Sequence, residues 1–340
     1  MVSLSDIARE VNLNVSVISR ALSPDPAQNA KVKPTTRELI RQTARRMNYV
    51  PNRQASFMGR KGNATIYCFM PLTSDRLTAD LMYGISEAAR QENFPVTFFQ
   101  GNMHDDFREF FANLDDSSHS GVISFPSLAL SDDLKDMLKL YARRRKTLVL
   151  LNPNTNAPHG VLEDEYSSIP QLIMDDYYGG RLAARHLIEQ QCSKFYFTCM
   201  PGQPFRHRLE GFADELAEHG FEINLFDDPG RLKDIVAADE KIGIYADRDV
   251  HALNILIHLA RLNIIPGERV LLVGNDNKQQ SRYSVPTLTT VHQPTREEGM
   301  LAVKKLINLI FGGTENNEYI KPYLIVREST GNYKEEYTIH

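Results

Sequence analysis

The sequence lacks several features that mark particular protein classes. It has no tryptophan, and its three cysteines, Cys68, Cys192 and Cys199, form no Cys-x-x-Cys pair. An odd number of cysteines without that spacing suits a reducing compartment and predicts no disulfide framework. No stretch approaches the roughly 18 apolar residues of a membrane-spanning helix, and Asp6 and Glu10 stand where a signal peptide needs an apolar core. We therefore expect a cytoplasmic protein with no membrane partner.

The motifs of common enzyme classes are also missing. Sheets that bind dinucleotides or nucleotide phosphates need a Gly-x-Gly-x-x-Gly or a Gly-x-x-x-x-Gly-Lys-Ser/Thr loop, and no predicted strand is followed by either. The ten histidines, among them His104, His119 and His186, show no metal-ligand spacing. No nucleophile, base and orienting group stand in a suitable pattern. The sequence therefore predicts no enzyme activity, no cofactor and no bound metal.

The residues that are present are typical of a globular protein with an uneven charge distribution. The 340 residues are 42% hydrophobic and 24% charged, enough for two or three compact units. Residues 1–62 carry 11 Lys+Arg and 4 Asp+Glu, a net charge of +7, whereas the other 278 carry 28 and 39, a net charge of −11. A basic first unit favours a polyanion as its partner, although a solvated basic surface would give the same count.

Residues 1–48 show the pattern of a helix-turn-helix head. A Ser-x-x-Asp capping box opens a helix at Leu4. Asn14 is a good N-cap for a second helix, Val15 to Leu22. A third helix follows Pro34. Two short helices joined by a tight turn place the second helix in the DNA major groove.

The rest of the chain alternates short apolar runs with helical patterns. The runs predict strands buried in parallel sheets, and they are ATIYCFM, PVTFFQ, GVISF, KTLVLLN, KFYFTC, KIGIYA and RVLLVG. Helical patterns between them include ADLMYGISEAARQEN, GGRLAARHLIEQQ, RLEGFADELAEHG and VHALNILIHLARLN. Repeated strand–helix units predict doubly wound sheets, and their number favours two subdomains with a cleft between them. Ligands bind such sheets at the carboxyl ends of the strands.

Longer segments carry a family resemblance. LSDIAREVNLNVSVISRAL and TRELIRQTARRMNYVPNRQA resemble the DNA-binding head of the lactose-repressor (LacI/GalR) family of bacterial transcription regulators. More diffuse matches follow in order: IMDDYYGGRLAARHLIEQ, RHRLEGF, ADRDVHALNILIHLARLNIIPGERVLLVGNDN and VPTLTTVHQPTREEGMLAV. The resemblance implies an all-α three-helix head joined to an α/β, periplasmic-binding-protein-like effector domain of two doubly wound parallel-sheet subdomains.

The resemblance also implies domain boundaries. We expect a helix-turn-helix domain at 1–48, a hinge helix and linker at 49–62, an effector-binding and dimerisation domain at 63–330 and a tail at 331–340. Within the effector domain, the first subdomain is expected at about 63–163 plus 294–326 and the second at about 164–292. The chain would cross between them near 162–166, 291–294 and 324–327.

Site residues carried over from the family fall in the head and in the hinge. The expected base contacts are Val15, Ser16 and Arg20. The expected phosphate contacts are Asn14, Ser19, Lys33, Thr36, Tyr49 and Asn52. Ala55 and Met58 lie in the hinge, where an apolar side chain of two paired copies opens the minor groove. The partners implied are a pseudo-palindromic double-stranded operator and a second copy of the chain, as a homodimer.

The resemblance places a small-molecule effector, most simply a carbohydrate, in the cleft. The residues expected to contact it are Asp175, Arg208, Asp247, Asp276, Asp75 and Phe125. Carboxylates and a guanidinium suit a polyol, because each Asp accepts hydroxyl hydrogen bonds and Arg donates several. With no tryptophan for stacking, Tyr245, Phe205 or Phe125 could supply a ring.

Three departures from the family pattern stand out. The loop SPDPAQNAKVKP in the head is about four residues longer than usual, which long polar loops tolerate. Lys33 stands where the family usually has a Ser helix cap. Ala246 replaces an Asn that often binds the ligand in the family.

Other functions stay open on the sequence alone. The regulator could respond to a non-sugar ligand or to a protein partner. The α/β part could also serve an enzyme or an exported sugar-binding protein, but the DNA-binding head speaks against both.

Overall fold

The structure, a computed structural model, describes most of the chain. The described residues are 2–23, 26–47, 49, 64–73, 75–102, 104–114, 119–126, 131–145, 147–153, 169–199, 206–237 and 239–331. The chain divides into two compact units, Met1–Gly62 and Asn63–His340.

The described part of the first unit consists of short helices. They are Leu4–Glu10 (α1), Val15–Ala21 (α2), Pro26–Asn29 (α3) and Pro34–Arg46 (α4). The capping box at α1 is confirmed, since the Ser3 hydroxyl accepts from the Asp6 amide and the Asp6 carboxylate accepts from the Ser3 amide. Asn14 caps α2 by accepting from the Ser16 amide over 3.1 Å. Buried apolar side chains from all three predicted helices form the core of this unit: Ile7, Ala8, Ile18, Ala21, Ile40 and Ala44.

The long loop of the head contains the unpredicted helix α3. The Asn29 amide donates to the Ser23 carbonyl oxygen over 2.7 Å, and Val32 is buried in the core of the head. These contacts tie both sides of the added segment to the predicted helices. The inserted segment therefore packs against α2 and the core of the head, in which α1, α2 and α4 contact one another.

The described strands of the second unit form two six-stranded sheets. The strands are Ile66–Pro71 (β1), Val96–Gly101 (β2), Gly121–Ser124 (β3), Leu148–Leu151 (β4), Gln171–Met174 (β5), Lys194–Thr198 (β6), Ile223–Phe226 (β7), Ile242–Ala246 (β8), Val270–Asn275 (β9), Thr289–His292 (β10), Glu318–Ile320 (β11) and Tyr323–Ile325 (β12). The first sheet has the order β11-β5-β4-β3-β1-β2, and the second has the order β12-β10-β9-β8-β6-β7. Among the described strand pairs only β10 and β12 run antiparallel.

Helices follow most of these strands. They are Arg76–Gln91 (α5), Asp105–Ala112 (α6), Asp132–Arg145 (α7), Asp176–Glu189 (α8), Arg206–Glu218 (α9), Leu232–Ile235 (α10), Asp249–Arg261 (α11), Gln280–Tyr283 (α12) and Thr295–Ile310 (α13). Strands β3, β4, β8 and β9 are buried along their whole length, as expected when helices cover both faces of a sheet. The predicted fold class is confirmed.

The described strands place the subdomain boundaries differently from the expectation. The expected crossing at 162–166 lies outside the described residues, but β5 still pairs with β4 in the first sheet, so the change to the second sheet follows Met174. The chain returns to the first subdomain after His292, since α13 packs against β3 and β4. Its last change lies between β11 and β12, at residues 321–322 and not at 324–327, because β12 pairs with β10.

Candidate functional site

The strand order of the second sheet predicts where a ligand would lie. Strands β6 and β8 are neighbours, although β7 lies between them in sequence. Such a reversal opens a crevice at the carboxyl ends of the two strands. Helix α9 is the first helix after β6, and Asp247 directly follows β8. Arg208, in the first turn of α9, and Asp247 therefore face the same crevice.

Two glycines let helices α8 and α9 cross closely. A Cβ at Gly180 would lie 2.2 Å from the Arg208 carbonyl oxygen, and one at Gly211 would lie 1.9 Å from the Tyr177 carbonyl oxygen. Side chains at these positions would therefore push the helices apart. The close crossing brings Arg208 to the first turn of α8, where its Nε donates to Asp176 Oδ1 over 2.9 Å.

Arg208 is held by acceptors of the second subdomain. Its side chain is buried, and Nη1 donates to the Asp247 carbonyl oxygen and lies 3.5 Å from Asp276 Oδ1. Burial alone would lower the pKa of the guanidinium, but the charges of Asp176 and Asp276 hold that pKa above its usual value. The cation is therefore fixed in position and matched by two carboxylates.

Asp276 follows β9 with a backbone φ of 110°, in the region that favours glycine. Its Oδ1 accepts from Asn275 Nδ2 over 3.1 Å and from Gln293 Nε2 over 3.2 Å. Burial raises the pKa of this carboxyl to about 7, against the opposing effect of Arg208. The strained backbone and the polar neighbours hold the carboxyl group between β9 and the crossing at residue 293.

Asp247 offers an acceptor that the described residues leave unused. One carboxylate oxygen contacts His251 Nδ1, one turn along α11. The other, Oδ2, is buried without a hydrogen bond in the described part of the chain, and Arg248 Nε lies 4.0 Å from it. A buried acceptor without a donor costs about 1–3 kcal/mol. A ligand that carries a hydroxyl or an amine would supply the donor.

Polar contacts join the two subdomains beside Asp276. Asp75 Oδ2 pairs with Lys278 Nζ over 3.2 Å, and Asp75 also caps α5. Arg76 Nη2 donates to the carbonyl oxygens of Asp276 over 2.9 Å and of Asn277 over 2.8 Å. We call these the cross-cleft contacts. Asp75 therefore helps to join the subdomains in addition to capping α5, the helix that follows β1.

Sequence reasoning named the first aspartate of an Asp-Asp pair and missed the second. Asp175 caps α8, since its Oδ1 accepts from the Tyr178 amide over 2.9 Å. The next residue, Asp176, is the one that pairs with Arg208. Two adjacent aspartates ahead of a helical pattern are the signal from which both could have been predicted as site residues.

A further acidic residue, Glu298, was also missed. It lies in α13, is fully buried and accepts from Asn152 Nδ2 over 2.7 Å. Burial raises the pKa of the Glu298 carboxyl to about 8. The available signal was a glutamate among small and apolar residues on the inner face of an amphipathic helix, directly before Gly299.

The aromatic candidates fall in different places. Phe125 is partly buried just past β3, at the carboxyl end of the first sheet. Tyr245 is fully buried; its ring packs against Phe197 and Phe212, and its hydroxyl donates to Asn275 over 2.9 Å. Tyr245 is therefore a core residue with one hydrogen bond toward the site. Phe205 lies outside the described residues.

The second helix of the head presents one polar, exposed face. Its exposed side chains are Val15, Ser16, Ser19 and Arg20. Ile18 and Ala21 point the other way and are fully buried. The residues expected to contact bases therefore lie together on the surface of α2 that could enter a DNA groove.

The remaining head positions vary in exposure. Lys33 is exposed and makes no side-chain cap to α4, while Thr36 is half-buried. Tyr49 packs partly buried against the core of the head. The positions Asn52, Ala55 and Met58 lie outside the described residues.

Comparisons with known proteins decide the family. The profile described as "Periplasmic binding proteins and sugar binding domain of LacI family" matches residues 65–238, and a "Periplasmic binding protein-like domain" profile matches residues 184–330. The chain belongs to the LacI/GalR family. Its members are transcription regulators, and the expected role in transcription regulation is thereby supported.

Relatives match nearly the whole chain, and solved structures share its fold. The HTH-type transcriptional repressor PurR of Vibrio vulnificus is 22% identical, with 97% of this chain and 98% of that protein covered. The complex of the transcriptional regulator CelR with cellobiose has a TM-score of 0.64 at 22% identity, covering 97% of this chain and 100% of CelR. The lac repressor dimer bound to operator also has a TM-score of 0.64, at 20% identity, covering 97% and 99%.

The described ranges of this LacI-family chain contain neither a metal-binding cluster nor a membrane-spanning helix. No group of three or more His, Cys, Asp or Glu side chains in those ranges is arranged to hold a metal ion. Within the same ranges, no helix has the length and apolarity needed to cross a membrane.

Proposed function

We propose that this LacI-family chain is a cytoplasmic repressor that binds a pseudo-palindromic operator as a homodimer and releases or holds it according to a small carbohydrate in the cleft. The cluster of Arg208, Asp176, Asp247 and Asp276 at the strand ends carries this proposal. It gathers buried acceptors around one fixed guanidinium, as a hydroxyl-rich ligand requires.

On the DNA side, the exposed face of α2 supplies the base contacts. Arg20 can donate two hydrogen bonds to a guanine edge, Val15 can contact a thymine methyl group and Ser16 can bond to either kind of base. Phosphate contacts from Asn14, Ser19, Lys33, Thr36, Tyr49 and Asn52 would fix the register. Ala55 and Met58 are proposed to enter the minor groove, where Met58 would unstack a base step.

On the effector side, Asp247 Oδ2 and the Asp276 carboxyl would accept hydroxyl hydrogen bonds. Asp175 and Asp176 line the start of α8, with Asp176 held by Arg208. Asp75 and Phe125 follow β1 and β3 of the first subdomain and would face the ligand from that side. The solved CelR structure contains cellobiose, which makes oligosaccharides sensible first probes.

Control of DNA binding requires that the effector favour one arrangement of the subdomains. One of the cross-cleft contacts is the hydrogen bond from Arg76 to the carbonyl oxygen of Asp276. A ligand that binds the Asp276 side chain therefore lies next to a contact between the subdomains. Linkage is reciprocal: operator DNA must change effector affinity by the same factor by which the effector changes operator affinity.

The test begins with operator selection. Genomic fragments retained by the full-length protein would define an operator, and cellobiose, ribose, other sugars, polyols and purines would be screened by thermal shift. We expect a sugar to bind and to change operator affinity. Binding by a purine alone would assign another ligand class, and silence across the screen would favour a protein partner.

A further inference from the structure

Glu298 is a fully buried carboxyl with an unused oxygen. One of its oxygens, Oε1, accepts from the Asn152 amide over 2.7 Å. Oε2 is buried and makes no hydrogen bond within the described residues. Among the ion pairs that the structure describes, none involves Glu298, so its hydrogen-bond partner there is a neutral amide. An ionised carboxylate in such surroundings is costly unless a cation or a second donor reaches it.

The position of Glu298 follows from the direction of α13. A Cβ at Gly121, where β3 begins, would meet the Leu306 side chain, so the later turns of α13 lie over the start of β3. The first turns of α13 therefore lie toward the carboxyl end of the sheet, where Asn152 follows β4. The Asn152 side chain that donates to Glu298 also accepts from the Met174 amide over 2.6 Å, directly before the chain enters α8. Glu298 thus lies at the end of the first sheet that faces the crevice.

Two hydroxyl groups in the same region are also unused. Ser124 is the last residue of β3, and Thr295 is the first residue of α13. The hydroxyl oxygens of both are buried, and neither has a hydrogen-bond partner among the residues described. Together with Glu298 Oε2 they form three unsatisfied polar atoms at one end of the first sheet. Buried polar groups in native proteins are usually satisfied, so three unsatisfied ones at one end of a sheet suit a polar binding partner there.

The charges around the crevice disfavour an anionic ligand and favour a cationic one. The Arg208 cation already faces the carboxylates of Asp176 and Asp276, so it offers little to an anionic ligand. The cations Arg76, Lys278 and Arg248 already face carbonyl oxygens or carboxylates, so among the described residues a phosphate or carboxylate on the effector would meet no cation that is not already engaged. An ammonium group beside Glu298 would favour the ionised form of its carboxyl, pair with Oε2 and donate to Ser124 Oγ.

We propose that the effector of this regulator is a polyhydroxylated amine, in the simplest case an amino sugar, whose ammonium group is recognised by Glu298 and Ser124. The inference rests on the proposed effector control and narrows its ligand class. The hydroxyl groups of the ligand would be met from the second subdomain by Asp247 and Asp276.

The test compares matched hexoses on the full-length protein. Glucose, galactose and mannose would each be titrated by calorimetry as the free sugar, the 2-amino-2-deoxy sugar and the 6-phosphate. We expect at least one amino sugar to bind about tenfold or more tightly than its neutral parent, because a charge-assisted hydrogen bond replaces a neutral one. The 6-phosphates should bind most weakly.

The variant Glu298→Gln keeps the shape and removes the charge. It should bring the amino sugar and its neutral parent to within about twofold of each other, since the ion pair is lost while the hydroxyl contacts stay. The control Glu297→Gln changes the adjacent, exposed glutamate of the same helix and should keep the preference. If Glu298→Gln does not fold, Glu298→Asp should keep the preference at lower affinity.

Two results would overturn the proposal while leaving effector control intact. The neutral sugar or the 6-phosphate could bind wild type as tightly as the amine, or Glu298→Gln could keep the amine preference. Sugar binding that disappears in Arg208→Ala would still support the cleft in either case. No binding by any of the nine hexoses would contradict the amino-sugar proposal, whereas carbohydrate control is decided separately by the wider screen of sugars and polyols.

Discussion

Arg208 shows how one side chain organises the cleft. Its Nε donates to Asp176, its Nη1 donates to the backbone beyond β8, and it lies beside Asp276 after β9. The family resemblance predicted Arg208, Asp247 and Asp276 as effector contacts, and each lies at a strand end or helix start that the sequence pattern marks. Glu298 was not predicted: the local pattern marks it as a buried glutamate, but its place at the end of the first sheet depends on the direction in which α13 runs over β3.

Arg20 is the residue whose loss should affect sequence recognition most. Arg20→Ala should cost about 1–3 kcal/mol of operator binding and relax the preference at one base position per half-site. Fluorescence anisotropy with operator variants measures both effects. Arg9→Ala removes an equal charge from α1, where Arg9 pairs with Asp6, and should leave base preference unchanged. Equal losses on operator and random DNA for Arg20→Ala would make Arg20 a phosphate contact.

Glu298 should give the folded protein a distinctive pH dependence. Because burial raises the pKa of Glu298 to about 8, the folded state holds this proton more tightly than the unfolded state. The stabilisation is therefore fully present below the ordinary pKa of a glutamate and is lost as the pH rises toward 8, at about 1.4 kcal/mol per pH unit. Urea unfolding at four pH values between about 5 and 8 should show a smaller fall in stability for Glu298→Gln than for wild type. Parallel curves would show that Glu298 ionises normally.

At the scale of helices and strands, the cleft is built on two glycine crossings. Gly180 and Gly211 allow α8 to meet α9, and Gly84 and Gly299 do the same for α5 and α13. One crossing lies in each subdomain.

The apolar runs predicted seven strands correctly, but the short strands β5, β7, β10, β11 and β12 were missed. The missed strands span only three or four residues and include both strands that fix the last crossing between sheets, so the subdomain boundaries were misplaced.

Gly211 tests the α8–α9 crossing. Gly211→Ala places a methyl group where the Tyr177 carbonyl oxygen lies 1.9 Å away, so the helices must separate. We expect a loss of about 1–3 kcal/mol in stability and weaker effector binding, because Arg208 moves away from Asp176. Chemical unfolding and calorimetry measure the two effects. Ala217→Ser, at an exposed position of the same helix, should change neither. Unchanged stability in Gly211→Ala would show that the helices do not cross this closely.

The cross-cleft contacts test the coupling between subdomains. Arg76→Ala removes the donors to the carbonyl oxygens of Asp276 and Asn277. If the effector binds the joined arrangement, its affinity should fall about fivefold or more, because less of the protein is in the competent form. Arg90→Ala, at the exposed end of the same helix, is the control. Equal affinities in wild type and Arg76→Ala would show that the contacts do not bias effector binding.

At the scale of the whole molecule, the uneven charge and the two sheets suit the two parts of the chain to different partners. Residues 1–62 carry a net charge of +7, suited to a polyanion, and the acidic remainder carries the buried polar cleft. Both the head and the alternation of strands and helices could be predicted from the sequence, because capping signals and apolar periods are local. The proposed effector class could not be predicted, since that proposal depends on which buried polar atoms remain unsatisfied after folding.

The most direct test measures operator affinity against effector concentration in wild type and Arg208→Ala. The operator is the selected genomic fragment, and the effector is the tightest ligand found by thermal shift. Arg185→Ala is the control, because Arg185 pairs with Glu215 and is half-exposed on the same helix pair. In wild type and in Arg185→Ala, the effector should change operator affinity about tenfold or more, a coupling of about 1.4 kcal/mol or more. Arg208→Ala should bind the operator as wild type does without effector and should not respond at the same concentrations. A full response in Arg208→Ala would contradict control of DNA binding through this cleft.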